Sequence, residues 1–312
     1  MGGVVNESTP VPGGAWPTLR TADWAATRDT LHMWLQIVGK IRLAHAPMVN
    51  HWWQATLYVT PRGLGTSSIP YRHAAFDVEF DFCEHRLHIR SSDGGSRFVP
   101  LTAQSVADFY SRTLGALDEL GIATRIQGTP NEVDPAIPFA QDREHNTYDP
   151  DAAHLFWRQL LHADRILHEF RGDFLGKVSP VHFFWGAMDL ACTRFSGRTA
   201  PPHPGGIPNC ADWVMTEAYS HELSSCGFWP GGADEGAFYS YAYPAPEGFA
   251  AHPVRPDAAY YSAELGEFLL PYEAVRTAAD PDAELLRFLR STYEAAAELG
   301  HWDRAYLERR PQ

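Results

Sequence analysis

Large hydrophobic residues recur at every third or fourth position in four segments of the chain, which is the spacing of an amphipathic α-helix. The segments are residues 30–43, 106–120, 151–174 and 288–300. One face of the first segment collects its bulky apolar side chains, which are Leu31, Trp34, Leu35, Val38 and Ile41. A glycine, Gly121, directly follows the second segment, where glycine commonly ends a helix.

Alternation of apolar and polar residues predicts a β-strand at residues 76–82, whose sequence is Phe-Asp-Val-Glu-Phe-Asp-Phe. Residues 51–60, 86–91 and 181–195 are rich in aromatic and β-branched side chains, which also favour strands. Strands and helices do not alternate as βαβ units would require. We therefore predict an α+β fold in which helices cover one face of each largely antiparallel sheet.

Self-similarity within the chain predicts an internal duplication. Residues 109–121 match residues 288–300 at six of thirteen positions, and His51 and His182 occupy matching strand starts. The pattern predicts two duplicated lobes about a pseudo-two-fold axis, with a ligand cleft between them.

The domain boundaries follow from the same comparison. Residues 16–127 form the first α+β copy and residues 151–312 the second, joined by a proline-rich connector at 128–150. Residues 1–15 are expected to be a disordered lead-in. The second copy carries a loop insertion at 196–236, whose tryptophan, histidine and cysteine content suggests a functional site.

Charge excludes several partner classes. The chain has 25 Lys and Arg against 38 Asp and Glu, a net charge of −13, so nucleic acid is not an expected partner. No apolar run approaches the ~18 residues of a membrane span, and the N-terminus does not resemble a signal peptide. Four widely spaced cysteines fit reduced thiols, which indicates a cytoplasmic protein. The oligomeric state stays open.

Four blocks of the sequence, in order, are LHMWLQIVGKIRLAHAPMVNHWW, SPVHFFWGAMDLACTRFSGR, APPHPGGIPN and EAYSHELSSCGFWPGG. With these blocks the chain resembles a bacterial family catalogued only as a domain of unknown function. The resemblance extends from about Trp16 to Trp302. It implies one full-length unit and brings no activity, cofactor or catalytic residue.

A metal site is one hypothesis for the histidine-rich second copy. His182, His203, His221 and Glu217 offer imidazoles and a carboxylate, the ligand types of catalytic zinc or iron sites. Glu217 and His221 lie four residues apart and would share a helical face. A surface helix pair for Glu217 and His221, and a core position for His182, are the alternatives. No nucleotide cofactor is expected, because no glycine-rich phosphate loop is present.

Acid–base chemistry without a metal is the other catalytic hypothesis, and its candidates are His182, His221, Glu222 and Asp189. Counting along a single strand places Asp189 on the face opposite His182. Side chains that could contact a substrate, including an anionic one, are Arg194, Arg198, Trp185, Gln36 and Lys40. For the arginines and for Gln36 and Lys40, a purely structural role is the alternative.

These observations favour an enzyme that acts on a small molecule in a His/Glu-lined, aromatic-walled cleft, with hydrolytic or oxidative metal chemistry as one form. The alternative is a non-catalytic protein that binds a metabolite or a partner chain. The aromatic residues fill either two cores or one shared pocket.

Overall fold

A computed structural model describes residues 15–309. All but the last residue of the expected disordered lead-in lie outside this range. The helices in the described part of the chain are α1 (Ala25–His45), α2 (Val106–Glu119), α3 (Pro150–Gly172), α4 (Asp212–Ala218), α5 (Tyr272–Arg276), α6 (Pro281–Leu299) and α7 (Arg304–Leu307). Of these described helices, none is long and apolar enough to cross a membrane.

Helices α2, α3 and α6 begin at side-chain caps, whereas α1 has none. Ser105 accepts a hydrogen bond from the Asp108 amide at the start of α2. Asp149 accepts from two amides at the start of α3, and Asp280 accepts from the Ala283 amide at the start of α6. Proline occupies the first position of α3 and of α6, where its missing N–H costs nothing.

The first half of the chain forms a six-stranded antiparallel sheet. Its strands are β1 (Tyr58–Thr60), β2 (Gly63–Gly65), β3 (Ile69–Tyr71), β4 (Ala74–Asp81), β5 (Arg86–Ser91) and β6 (Ser96–Pro100). They pair in the order β1-β2-β4-β5-β6, with β3 on β4. Phe76, Val78 and Phe80 of β4 are buried, as the alternation predicts, whereas Asp77 and Glu79 on the other face bind Arg90.

The second half forms another six-stranded antiparallel sheet. Its strands are β7 (His182–Phe184), β8 (Asp189–Thr199), β9 (His221–Trp229), β10 (Ala237–Tyr243), β11 (Tyr260–Ser262) and β12 (Glu267–Pro271). The order across the sheet is β11-β12-β10-β9-β8-β7. Leu190, Cys192, Cys226 and Phe228 belong to the buried core under the helices. The predicted α+β class with antiparallel sheets is therefore confirmed.

The two sheets meet at a hydrogen-bonded seam. Leu57, just before β1, and Phe183 of β7 exchange backbone hydrogen bonds of 2.9 and 2.8 Å. Helix α3 lies over this seam: its Phe156 ring contacts Phe183, and its Trp157 indole donates to the Thr60 carbonyl at 3.1 Å. One hydrophobic core contains residues of both sheets. The duplication itself stays a prediction.

Three sequence expectations for the second copy and its match are wrong. Residues 181–195 form a hairpin, because the chain turns at 185–188 with Met188 at a φ of 59°. Asp189 therefore pairs with Phe184 and lies on the same face as His182. His51 lies in a 3-10 turn, Asn50–Trp52, rather than at a strand start.

The segment 196–236 is also more regular than the expected loop insertion. It contains α4 and the nine-residue strand β9 in the middle of the sheet. Strand β9 lacks β-branched residues and mixes serine, cysteine and glycine with aromatics, so its sequence carries little strand signal.

Candidate functional site

A cavity of about 510 Å³ lies on the face of the second sheet opposite α3 and α6. Strands β8, β9 and β10 form its floor. Its roof comes from the turn Asn50–Trp52, from the connector at residues 131–132, and from α4 with the loop before it. This volume is typical of sites for small organic molecules. Both halves of the chain and the connector are needed to enclose it.

Nine aromatic residues line the cavity. They are Trp52, Trp53, Phe184, Trp185, Phe195, Tyr219, Trp229, Tyr239 and Tyr241. Trp185, an expected substrate contact, is held rigidly, because its indole donates to the Ala55 carbonyl at 2.7 Å. Its ring also rests on Gly39 of α1, where a Cβ atom would overlap it. The aromatic wall is thus fixed by the helix behind it.

The polar centre of the cavity is the carboxyl group of Asp189, which is hydrogen-bonded to the phenol of Tyr239. The Tyr239 hydroxyl donates to Oδ2 of Asp189, although β9 lies between their strands. Gly227 of β9 makes this possible: a Cβ atom there would lie 2.7 Å from the Tyr239 hydroxyl oxygen. Burial raises the pKa of Asp189 to about 6, and the hydrogen bond from Tyr239 opposes that rise.

Two further carboxyl groups, Glu132 and Glu267, line the same cavity. Desolvation, together with the charge of Asp189, raises the pKa of each to about 7, with Glu267 half-buried and Glu132 exposed. Glu132 comes from the connector, where its backbone has a φ of 60° and its amide donates to the Pro208 carbonyl at 2.8 Å. The Glu132 carboxyl lies against Gly186, where a Cβ atom would overlap it.

Tyrosines surround the three carboxyl groups. The hydroxyls of Tyr219 and Tyr241 are 2.9 Å apart and hydrogen-bonded, and the rings of Tyr239 and Tyr241 are stacked. Burial raises the pKa of Tyr219, Tyr239 and Tyr241, and the charge of Asp189 raises each of them further. These phenols therefore keep their protons near neutral pH and can act as hydrogen-bond donors.

Gln36 and Lys40, two expected substrate contacts, hold the connector instead. The Gln36 amide donates to the Asn131 carbonyl and accepts from the Asn131 amide, each at 2.8 Å. Lys40 donates to the side chains of Asn131 and Gln127. Burial lowers the pKa of Lys40 to about 8. Both residues are buried and do not line the cavity. They fix the residue next to Glu132.

His51 lines the cavity as a neutral ring. Its Nδ1 donates to the Ala218 carbonyl at 2.9 Å, so Nε2 is free of a proton and accepts from the Lys177 ammonium, also at 2.9 Å. Burial lowers the pKa of His51, and the charges of Lys177 and His221 lower it further. The Lys177 ammonium in turn lies over the rings of Trp53 and Phe195.

The four expected metal ligands do not form a cluster in the structure. Helix α4 ends at Ala218 and His221 begins β9, so Glu217 and His221 do not share a helical face. His221 contacts Ser220, and His203 accepts from the Gly205 amide at 3.0 Å. Within residues 15–309, three close metal-ligating side chains occur only at Asp81, Glu84 and His88, where Arg62 binds both carboxylates.

His182 lies in a closed aromatic environment below the cavity wall. Its ring contacts those of Trp53, Tyr58 and Phe184, and it is 1% exposed. Both ring nitrogens lack a hydrogen-bond partner among the described residues. Burial, reinforced by Arg42 and Arg171, lowers the pKa of His182 to about 3. It is a neutral ring that does not line the cavity.

The expected anion-binding arginines are placed elsewhere. Arg194 points to the helix side of the sheet, where its guanidinium stacks on Phe170 and donates to the Phe170 carbonyl. Arg198 donates to Glu222 at 2.6 Å and to the Gly300 carbonyl at 2.6 Å, which ties β8 to the end of α6. Glu222 also accepts from Ser196 at 2.9 Å. Of the four expected acid–base groups, Asp189 alone lines the cavity.

Sequence reasoning missed Glu132, Glu267 and Tyr219, and it considered Tyr239 and Tyr241 only as aromatic residues of a core or a pocket wall. Glu132 lies in an irregular connector, where no periodicity shows which way a side chain points. The alternation Tyr-Ser-Tyr-Ala-Tyr at 239–243 was the available signal, since it places the three tyrosines on one face of a strand.

Comparison with known families gives one result. Residues 16–309 match the model of the "Family of unknown function (DUF5996)", and the chain belongs to this family. No curated protein and no solved structure matches the chain.

Proposed function

We propose that this family member is an enzyme that carries out acid–base chemistry on a small organic molecule held in the aromatic cavity. One observation carries the proposal: three carboxyl groups with pKa values raised to about 6 and 7 line a single cavity. Perturbed carboxyl groups of this kind concentrate at functional sites. Near pH 7 such groups are present both with and without their protons, as proton transfer in both directions requires.

The roles follow from the differences between the three groups. Asp189 has the lowest of the three pKa values and a phenol that stabilises its charged form, so it supplies the base. Glu132 and Glu267 hold protons more tightly and supply the acid. The aromatic walls orient the molecule. Metal assistance through His182, His203 and His221 is not part of this proposal.

The experiment incubates the purified protein with a cellular small-molecule extract at pH 7 and follows the compounds consumed and formed by mass spectrometry. Asp189→Asn should lower the turnover at least about a hundredfold, the usual contribution of a general base. Glu264→Gln is the matched control, because Glu264 is exposed and does not line the cavity. Equal turnover by Asp189→Asn and the unaltered protein would overturn the proposal.

A metabolite-binding protein without catalysis is the second candidate. The observation in its favour is the aromatic wall, which suits tight binding of an apolar body. Saturable binding of a compound from the same extract, without any consumption of it, selects this candidate.

We also propose a reducing, cytoplasmic location. All four cysteines are unpaired, including Cys192 and Cys226, which face each other directly across β8 and β9. Facing thiols of this kind persist where disulfides are kept reduced.

A further inference from the structure

We infer that the cavity selects an organic cation, an amine or quaternary ammonium group carried on an apolar body. This inference names the ligand class of the proposed function and rests on it. Four features of the cavity support it: the sign of the charges that line it, the missing partners of its carboxyl groups, the spacing of those groups, and its aromatic walls.

The charged side chains that line the cavity are acidic. Asp189, Glu132 and Glu267 are among the lining residues. Of the described residues that line the cavity, none is a lysine or an arginine. The basic lining group is His51, whose two ring nitrogens are already occupied by the Ala218 carbonyl and Lys177. An anionic ligand would therefore meet carboxylates without a free cation to balance it.

Two lysines lie behind the wall, and both are committed to other groups. Lys40 binds Asn131 and Gln127, and the neighbouring Cys210 thiol faces it from the loop before α4. Lys177 binds His51 and lies over two aromatic rings. Neither lysine is within hydrogen-bond or ion-pair distance of Asp189, Glu132 or Glu267 in the described chain. Neither lysine therefore neutralises the charge of Asp189, Glu132 and Glu267.

Two of the three carboxyl groups lack a hydrogen-bond or ion-pair partner in the described chain. Within residues 15–309, the side chains of Glu132 and Glu267 make no hydrogen bond or ion pair, and Asp189 has the Tyr239 hydroxyl as its side-chain partner. Asp189 and Glu267 are half-buried, whereas Glu132 is exposed, and carboxylates withdrawn from water are ordinarily paired or hydrogen-bonded in native proteins. A bound ammonium group supplies the missing charge and up to three N–H donors.

The spacing of the carboxyl groups separates an organic cation from a metal ion. A metal ion needs its ligand atoms close around one point, and in the described chain these three carboxyl groups do not all come within 4.8 Å of one another. A larger cation can be attracted to separated carboxylates at the same time. The tryptophan and tyrosine faces then add cation–π attraction, which is strongest where water is excluded.

The test compares three probes of nearly equal size and different charge: benzylammonium, benzyl alcohol and benzoate. Binding to the full chain is followed at pH 8 by calorimetry and by tryptophan fluorescence, since four tryptophans line the cavity. We expect benzylammonium to bind at least about tenfold more tightly than benzyl alcohol, and benzoate to bind least. Asp189→Asn and Glu267→Gln should each reduce the preference for benzylammonium over benzyl alcohol, whereas Glu264→Gln should leave it unchanged.

Several outcomes overturn the inference. It fails if benzyl alcohol or benzoate binds as tightly as benzylammonium, or if benzylammonium does not bind at about 10 mM, near the weak limit for a few such contacts. It also fails if both carboxamide variants keep the full preference while remaining folded by circular dichroism. Turnover that depends on Asp189 but prefers a neutral substrate would retain the proposed function and remove only this inference. Charge-selective binding without turnover would retain this inference and remove the proposed function.

Discussion

The side chain of Tyr239 reaches across the neighbouring strand, and its hydroxyl donates a hydrogen bond to Asp189. Tyr239 is on β10 and Asp189 on β8, and the intervening strand β9 presents Gly227 at the crossing point. The geometry of three adjacent strands is thus used to build one polar pair in an aromatic cavity. The carboxyl group at its centre is buried, hydrogen-bonded to a neutral group and close to two other acids.

Replacing Tyr239 by phenylalanine should raise the pKa of Asp189 above 6. The hydroxyl stabilises the charged carboxylate, so its loss leaves burial less opposed. The measurement is a titration of the carboxyl carbon by NMR in protein labelled at aspartate. Tyr243→Phe is the control, because the Tyr243 hydroxyl donates to the Pro201 carbonyl and its residue does not line the cavity. An unchanged titration in Tyr239→Phe would contradict the assigned hydrogen bond.

Gly227→Ala should destabilise the protein by about 1–3 kcal/mol, the range for an overpacked buried site. The new methyl group would overlap the Leu190 carbonyl and displace the Tyr239 hydroxyl. Gly115→Ala in α2 is the matched control, because nothing lies within 4 Å of a Cβ atom there. That change should stabilise by up to about 1 kcal/mol, since alanine favours a helix. Urea unfolding of both variants measures the difference; equal stabilities would show that β9 tolerates the side chain.

Glu267→Gln should gain stability relative to the unaltered protein as the pH rises. The folded-state pKa of Glu267 is raised from 4.5 to about 7, so the folded chain binds this proton more tightly than the unfolded chain. Its stabilising contribution is complete below pH 4.5 and is lost as the pH rises through 7. Because the charge of Asp189 acts on Glu267, the difference between the two unfolding curves reports the titration of Glu267 together with its coupling to Asp189. A difference that stays constant from pH 4 to pH 8 would be inconsistent with this environment.

His182→Phe should be neutral or should stabilise the protein by about 1 kcal/mol at pH 7, because it removes two buried nitrogens without partners in the described chain. The folded-state pKa of His182 is lowered to about 3, so the unfolded chain binds this proton more readily. The unaltered protein therefore loses stability as the pH falls below 6.5, and the advantage of the variant should widen at pH 5. Urea unfolding at both pH values tests this. A marked loss of stability at pH 7 would indicate that the imidazole has an essential partner.

The sequence predicts the long helices and strands β4 and β5 for a physical reason, whereas only Tyr58–Thr60 of the expected strand 51–60 form a strand and β2, β3 and β6 are missed. Residues 106–120 and 76–82 each bury mainly one face, so the hydrophobic pattern carries the period of the element, whereas α1 is buried on nearly all sides. Strand β9 has no such pattern, because one face meets the core while the other lines a cavity, and Gly227 is required by a neighbour's side chain. The turn at 185–188 is equally hard to recognise in the sequence, because Trp185 continues the aromatic run of Phe183 and Phe184. Such errors reverse faces, as they did for Asp189 and His182.

The candidate site was predicted only in part. Asp189 and Trp185 could be chosen as site candidates because they lie in SPVHFFWGAMDLACTRFSGR, one of the four blocks that carry the family resemblance. Glu132 could not, since its position depends on hydrogen bonds from Gln36 and Lys40, which are more than ninety residues away along the chain. Charge at a site assembled from distant segments is a property of the fold, so the arginines near Asp189 in sequence were poor guides to its neighbours.

The seam between Leu57 and Phe183 has a consequence for cooperativity. Backbone hydrogen bonds there join the residue just before β1 of the first sheet to β7 of the second, and α3 covers the join. Neither sheet can separate without breaking these bonds and exposing the shared core. Heat or denaturant should therefore melt both halves in one transition, and a ligand in the cavity should raise the midpoint for the whole chain rather than for one half.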